Sequence, residues 1–278
     1  MQLDSYLSFL FDFGGKQLAR SLASWRGGIE YEREFWKNWF ASAGGRWPEE
    51  FQSRMQQREL LPFVQNRLPA GGKPRVLDVG AGPATNIGSM LTGREVEVFA
   101  VDPLAPIYDQ IINSAKIAPP VRTKFAFAED LSARFEPGSL DVVTCTNALD
   151  HAIEPMWGIL EMLIVLKRGG RVYLGHNRNE AEAEQYCGFH QWNFDVDGGE
   201  FIVWNKERKL NVSRMLQGIA SVNATMPVEN WVVIDITKTC DTPVDLLAYQ
   251  RGVRASLLEA MLLDFLGSAS ASSPVSAT

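Results

Sequence analysis

The chain has 278 residues, 46% apolar and 22% charged, with a formal net charge of −6. That length suits one elaborated α/β domain with a large buried core, and the acidic balance argues against a nucleic-acid partner, which needs a basic face. The 3 cysteines (Cys145, Cys187, Cys240) are too scattered for a disulfide framework or a zinc pattern, and no apolar run reaches the roughly 18 residues of a membrane span.

The opening stretch MQLDSYLSFLFDFGG carries Asp4 and Asp12 and no basic start, unlike a secretory signal. A cytoplasmic location is therefore expected. Residues 1–70 read as a helical cap. Within it, EYEREFWKNWFASA sets Phe35, Trp36, Trp39 and Phe40 on adjoining faces of one helix. That aromatic run suits core packing, with Trp39 also a candidate for the acceptor pocket. PEEFQSRMQQRELLPFVQNRL opens with Pro48 and two acids, a helix start.

From Arg75 the pattern alternates. RVLDVG is a buried strand and ATNIGSMLTG a helix ending at Gly93; VEVFAVD and APIYDQIINSA repeat the unit. TKFAFAED and LDVVTCTN are the third and fourth strands, PMWGILEMLIVLKRGG is a helix stopped by two glycines, and RVYLGHN is the fifth strand. Such units imply a doubly wound, mostly parallel sheet with helices on both faces and a ligand at the strands' carboxyl ends. Beyond Asn177, NEAEAEQYCGFHQWNFDVDGGEFIVWN reads as a charged helical turn and a hairpin about Asp197-Gly198-Gly199. WVVIDITK is a late strand, ASLLEAMLLDFL an amphipathic helix, and GSASASSPVSAT a low-complexity tail. The expected division is a cap over 1–70, a domain over 71–266 with an insertion at about 178–215, and a disordered tail over 267–278.

The first turn limits the ligand. Gly80 and Gly82 let a ligand approach the backbone. A pyrophosphate site wants a third glycine where Thr85 stands, and Pro83 removes a donor. Asp78, just before the glycines, repels phosphate and suits a cation. S-adenosylmethionine (SAM) is such a ligand. Asp102, followed by Pro103, ends the second strand 24 residues after Asp78 and suits the ribose hydroxyls. Glu129 and Asp130 end the third strand beside the adenine amino group, with Leu131 against the ring. Asn147 and Asp150, in TCTNALDH, face the methionine part and the acceptor.

VLDVGAGPAT, VFAVDP, FAEDL, LDVVTCTNALDH and EMLIVLKRGGRVYL, in this order, resemble the motifs of class I SAM-dependent methyltransferases over about residues 74–176. Ala84 or Thr85 departs from the family, many of whose members have a further glycine there. The resemblance implies a seven-stranded sheet with a reversed final strand, which WVVIDITK supplies. It also implies SAM as cofactor and S-adenosylhomocysteine as product.

Methyl transfer to a hydroxyl needs placement and a base. The 3 histidines all fall on the expected acceptor side. His190 is the first candidate base and His151 the second. Asp150, His151, His176, Tyr186, His190 and Trp192 are candidates for the acceptor pocket. Glu182 and Asp195 lack ligand spacing, so no metal is expected. The expected function is methylation, at oxygen, of a small-molecule or glycan-type acceptor. No nucleic-acid partner and no membrane span are expected, and a homodimer is admitted. The second reading is a catalytically silent SAM-binding partner. An NAD(P)-dependent oxidoreductase is the third, disfavoured by Asp78 and the missing glycine.

Overall fold

A computed structural model describes residues 25–242. The stretch before Trp25, the ASLLEAMLLDFL helix and the low-complexity tail lie outside the described residues. The first described element is helix α1 (25–41). Helix α2 (Pro48–Met55) and the single turn α3 (Pro62–Gln65) follow. The long helix expected from Pro48 is therefore broken. Gln56 is already extended, and Pro62 opens a new single turn, with Leu61 before it extended as a residue preceding proline prefers.

The alternating section builds β1 (Arg75–Val79), β2 (Glu97–Asp102), α4 (Ala105–Ala115), β3 (Lys124–Phe125), β4 (Leu140–Thr146), α5 (Pro155–Val165) and β5 (Leu166–Asn177). After β5 come α6 (Glu180–Ala183), β6 (Asn193–Asp197), β7 (Glu200–Trp204), β8 (Lys209–Asn211) and α7 (Val212–Met215). β9 (Ala220–Val228) and β10 (Trp231–Lys238) complete the described chain. Seven strands form one sheet in the order β3-β2-β1-β4-β5-β10-β9. β1 to β5 pair in parallel, and β10 runs antiparallel to both neighbours. WVVIDITK is thus the reversed strand. The order turns back between β1 and β4, the switch point where such sheets take ligands.

β1 shows how the core forms. Val76 packs with Leu60, Val64 and Ile87, while Leu77 and Val79 face the opposite cluster with α5. Alternate residues of one strand thus bury against two layers. All of α5 is buried, because the sheet covers one side and apolar residues of β6, β7 and β8 join the same core. The hairpin turns at Gly198-Gly199 as expected, both glycines having positive φ. No described helix is long and apolar enough to cross a membrane.

Three expected elements differ. ATNIGSMLTG is not a helix; residues 81–93 are turns and bends. Its carbonyls serve other partners. Arg54 donates to the oxygens of Ala81 and Ala84, and Arg58 to that of Asn86. Gly88 has a φ of 96° and presses on the Glu59 backbone, which a helix would not allow. α5 does not run on to the glycines: it stops at Val165, and Gly169-Gly170 lie inside β5 where its pairing with β4 slips. The third strand keeps only two residues, because Ala128–Ala133 winds into a 3-10 turn.

Candidate active site

A cavity opens where β1, β2, β4 and the turn after β3 end. Val79 and Gly80, Asp102 and Pro103, Ala128 and Glu129, and Cys145 and Ala148 form its floor. Trp25 and Glu32 of α1, with Phe127 and Phe189, form much of its roof.

The glycine loop is shaped by its own hydrogen bonds. The N–H groups of Gly80 and Ala81 donate to the Val101 carbonyl at 2.9 and 3.1 Å, and that of Gly82 donates to Asp102 Oδ2 at 3.1 Å. These donors are spent within the fold, so none of them is offered to a phosphate. Gly80 has a φ of 68°, and a Cβ there would stand 2.4 Å from that of Ala148. At Gly82 the space above the backbone belongs to the Trp36 indole, 2.9 Å from a built Cβ.

Asp78 lies behind the loop rather than on the cavity wall. Its Oδ2 accepts from Thr85 Oγ1 at 2.6 Å and its Oδ1 from Thr144 Oγ1 at 2.9 Å. Burial raises its pKa. Thr85, the departure from the glycine pattern, is therefore the clamp that closes the loop onto Asp78.

Asp102 and Glu129 are buried acids that line the cavity. Asp102 Oδ1 accepts from the Leu104 N–H at 2.8 Å. Glu129 Oε1 accepts from the Glu154 N–H at 2.9 Å. Burial pushes each carboxyl up to about 7. Each carboxylate oxygen keeps a further lone pair for a ligand.

Asp130 sits at a kink outside the cavity wall, and Leu131 is fully buried in the main core. Asn147 has a φ of 49° and ties two strand ends together, its N–H on the Gly175 carbonyl and its Oδ1 on the Asn177 N–H.

The turn after β4 holds Asp150 and His151, and His190 comes to them from the segment between α6 and β6. His190 Nδ1 is 2.8 Å from Asp150 Oδ2 and 3.2 Å from His151 Nε2. Burial pushes the Asp150 carboxyl up, but the imidazoles of His151, His190 and His176 outweigh it and hold the group below its usual range. Burial also opposes a charge on His190, yet Asp150 prevails and raises its pKa. Of the three, His151 reaches the cavity wall.

The other acceptor candidates stand apart from that cavity. His176 is fully buried against Phe194, with no hydrogen bond at either ring nitrogen and a pKa pushed down by burial to about 4. Trp192 belongs to the main core. The Tyr186 hydroxyl accepts from Asn193 Nδ2 at 3.1 Å. Trp39 packs among Trp36, Phe40 and Phe51.

Sequence reasoning missed Trp25, Glu32, Trp36, Phe127 and Phe189. A signal existed for three of them: Trp25, Ile29, Glu32 and Trp36 recur at helical spacing, one stripe of α1 turned toward the site.

Comparison with known proteins agrees with this geometry. The "Methyltransferase domain" family model matches residues 76–170. A ubiquinone biosynthesis O-methyltransferase of Xanthomonas euvesicatoria is 32% identical over 141 residues, 49% of this chain and 57% of that protein. One of Ralstonia nicotianae is 33% identical over 44% of this chain and 51% of its own length. The chain thus spans little more than half of these relatives. One of Xanthomonas oryzae is 30% identical over 64% of this chain and 82% of its own. A solved SAM-dependent methyltransferase from Methanosarcina mazei has a TM-score of 0.42 at 17% identity, over 66% of this chain and 100% of that one, a likeness too distant to carry an argument. With a relative matched over 82% of its length and the family model lying on the strands that build the cavity, the chain belongs to the SAM-dependent methyltransferase family.

Proposed function

We propose that this protein transfers the methyl group of SAM to an oxygen of a small-molecule acceptor. The observation that carries the reading is the convergence of four strand ends and His151 on one cavity. The cavity fits SAM better than a pyrophosphate. Two buried carboxyls suit ribose hydroxyls, an amino group and a positive charge, while the loop N–H groups are already spent.

In this reading Asp102 holds the ribose and Glu129 the adenine side. When bound, SAM supplies a methyl activated on a sulfonium, so the acceptor oxygen gains the carbon as the carbon–sulfur bond breaks and its electron pair stays on sulfur. The protein contributes placement and loss of the acceptor's proton. In this reading His151, at the wall, takes that proton, with His190 and Asp150 both beside it.

The relatives' name and the aromatic roof of Trp25, Phe127 and Phe189 support a hydroxyl on a flat, largely apolar ring. The segment that suggested a glycan loses its rings to packing, Trp192 in the core and Tyr186 on Asn193. The test is calorimetric titration with SAM, S-adenosylhomocysteine and NADH, followed by methyl-labelled SAM with phenolic and sugar acceptors. Micromolar binding of the first two, with label on a phenol, supports the reading. Binding of NADH alone, or binding of SAM with no labelled product, overturns it.

A further inference from the structure

Three atoms of metal-ligand type converge beside the cavity. Asp150 Oδ2, His151 Nε2 and His190 Nδ1 all lie within 4.8 Å of one another. The separations are 2.8 Å for Asp150–His190, 3.2 Å for His151–His190 and 3.4 Å for Asp150–His151. Protons serve this triangle badly. A ring nitrogen carries one hydrogen at most, and His190 Nδ1 faces a carboxylate and a second ring nitrogen together. One cation satisfies all three. Ligand atoms about 2.1 Å from an ion stand about 3.0 Å apart in an octahedral arrangement and about 3.4 Å apart in a tetrahedral one.

A second observation points the same way. Asp150 is 1% exposed, and its Oδ1 has no hydrogen-bond partner. Glu180 Oε2 is also buried without one, and the Glu180 carboxylate acts electrostatically on both Asp150 and His190. Its other oxygen accepts from Asn177 Nδ2 at 2.9 Å, which fixes the group. Buried carboxylate oxygens left without partners are rare, because their desolvation is uncompensated. A positive charge at this place compensates it.

We propose that Asp150, His151 and His190 hold a divalent first-row cation at the cavity edge. The site stands on the geometry above; its role rests on the methyl-transfer reading. Two imidazoles and one carboxylate suit zinc, iron(II) or manganese, whereas magnesium and calcium take mainly oxygen ligands. Three protein ligands leave a position for the acceptor oxygen. The cation lowers the pKa of that hydroxyl, and the O–H bond breaks with the proton passing to water. With the cation bound, His151 ligates it, and this step replaces proton removal by the His151 ring. This reverses the sequence expectation of no metal, because His190 lies 39 residues beyond His151 and no short spacing announces it.

The experiment uses the full chain stripped with EDTA and titrated with zinc(II), then with cobalt(II) as a spectroscopic probe of nitrogen ligation. S-adenosylhomocysteine binding is measured on the same samples. The expected result is one cation per chain. His190→Ala and Asp150→Asn weaken its affinity more than about 100-fold, beyond the roughly 10- to 100-fold cost of losing a supporting partner. Both variants keep S-adenosylhomocysteine binding, which certifies their fold; His190→Gln serves if the alanine variant does not fold. No stoichiometric binding, or binding untouched by the substitutions, overturns the cation site. Failure of the parent protein to bind S-adenosylhomocysteine overturns the methyl-transfer reading instead, and the titration is scored independently of it.

Discussion

The guanidinium of Arg54 reaches the carbonyl oxygen of Ala81 at 2.9 Å, across 27 residues of sequence. The same group donates to the Ala84 carbonyl and pairs with Glu50 at 2.7 Å. It thereby holds the glycine loop out of a helix. Arg54→Lys keeps the charge but loses the planar fork that spans two carbonyls. The variant is expected to lose about 1–2 kcal/mol of stability, one or two charge-assisted hydrogen bonds. It is also expected to bind S-adenosylhomocysteine several-fold more weakly. Denaturant unfolding and calorimetry read the two effects; unchanged values in both would remove Arg54 from the shaping of the loop.

Asp102 and Glu129 make cofactor affinity depend on pH. Burial lifts both carboxyls to about 7, so each is neutral below that pH and charged above it. SAM carries a permanent sulfonium charge, so its affinity should rise as pH passes upward through 7. S-adenosylhomocysteine lacks the sulfonium and should respond less. The ligand-free protein should lose stability over about pH 4 to 7, because the folded state retains protons that the unfolded chain has released. Asp102→Ala should weaken SAM binding more than about tenfold, through loss of a charge-assisted pair. A flat affinity profile from pH 6 to 8 would contradict the assignment.

Gly80 tests how closely the ends of β1 and β4 approach. A Cβ there would stand 2.4 Å from the Ala148 Cβ, on a backbone with a φ of 68°. Gly80→Ala is expected to cost about 2–4 kcal/mol, from overpacking and the left-handed conformation together. Adding Ala148→Gly should return the overpacking part, a coupling that a double-mutant cycle measures. Gly198 has a φ of 58° but no atom within 4 Å, so Gly198→Ala should cost only about 1 kcal/mol. Equal losses at the two positions would show that sterics at Ala148 are irrelevant.

His176 predicts an acid limit on stability. Burial pushes its pKa from the ordinary 6.5 to about 4, so the folded state binds fewer protons than the unfolded chain in that interval. Stability contributed by the neutral ring is complete above about 6.5 and is lost as pH falls toward 4, by about 3 kcal/mol. His176→Phe removes the titration and leaves no buried ring nitrogen unpaired. Its stability should exceed the parent's, most clearly near pH 4.5. A parallel pH profile for the two proteins would sink the account.

Much of the fold was legible because it rests on local rules. Runs such as RVLDVG and LDVVTCT carry apolar residues at successive positions, as strands buried on both faces do, and their alternation with helical runs made the parallel sheet and its ligand end readable. WVVIDITK was readable as a strand, but its reversed direction came from the family resemblance; its burial alternates, unlike that of β1 and β4. ATNIGSMLTG was misread because its helical pattern competes with Arg54 and Arg58, which lie in another segment and take the carbonyls a helix would use. Of the expected cofactor contacts, Gly80, Asp102, Pro103 and Glu129 reach the cavity; Asp78 turned inward to Thr85.

The sequence by itself determined the kind of sheet, the ends of the strands that carry the site and the class of ligand. Backbone propensity and apolar periodicity act within a few residues, so they survive without tertiary information. Only the folded chain decided which side chains share the cavity. Asp150, His151 and His190 form a cluster because the turn after β4 meets the segment before β6, and Glu32 enters because α1 lies across the strand ends. Those meetings depend on crossings between distant segments, which no local pattern encodes.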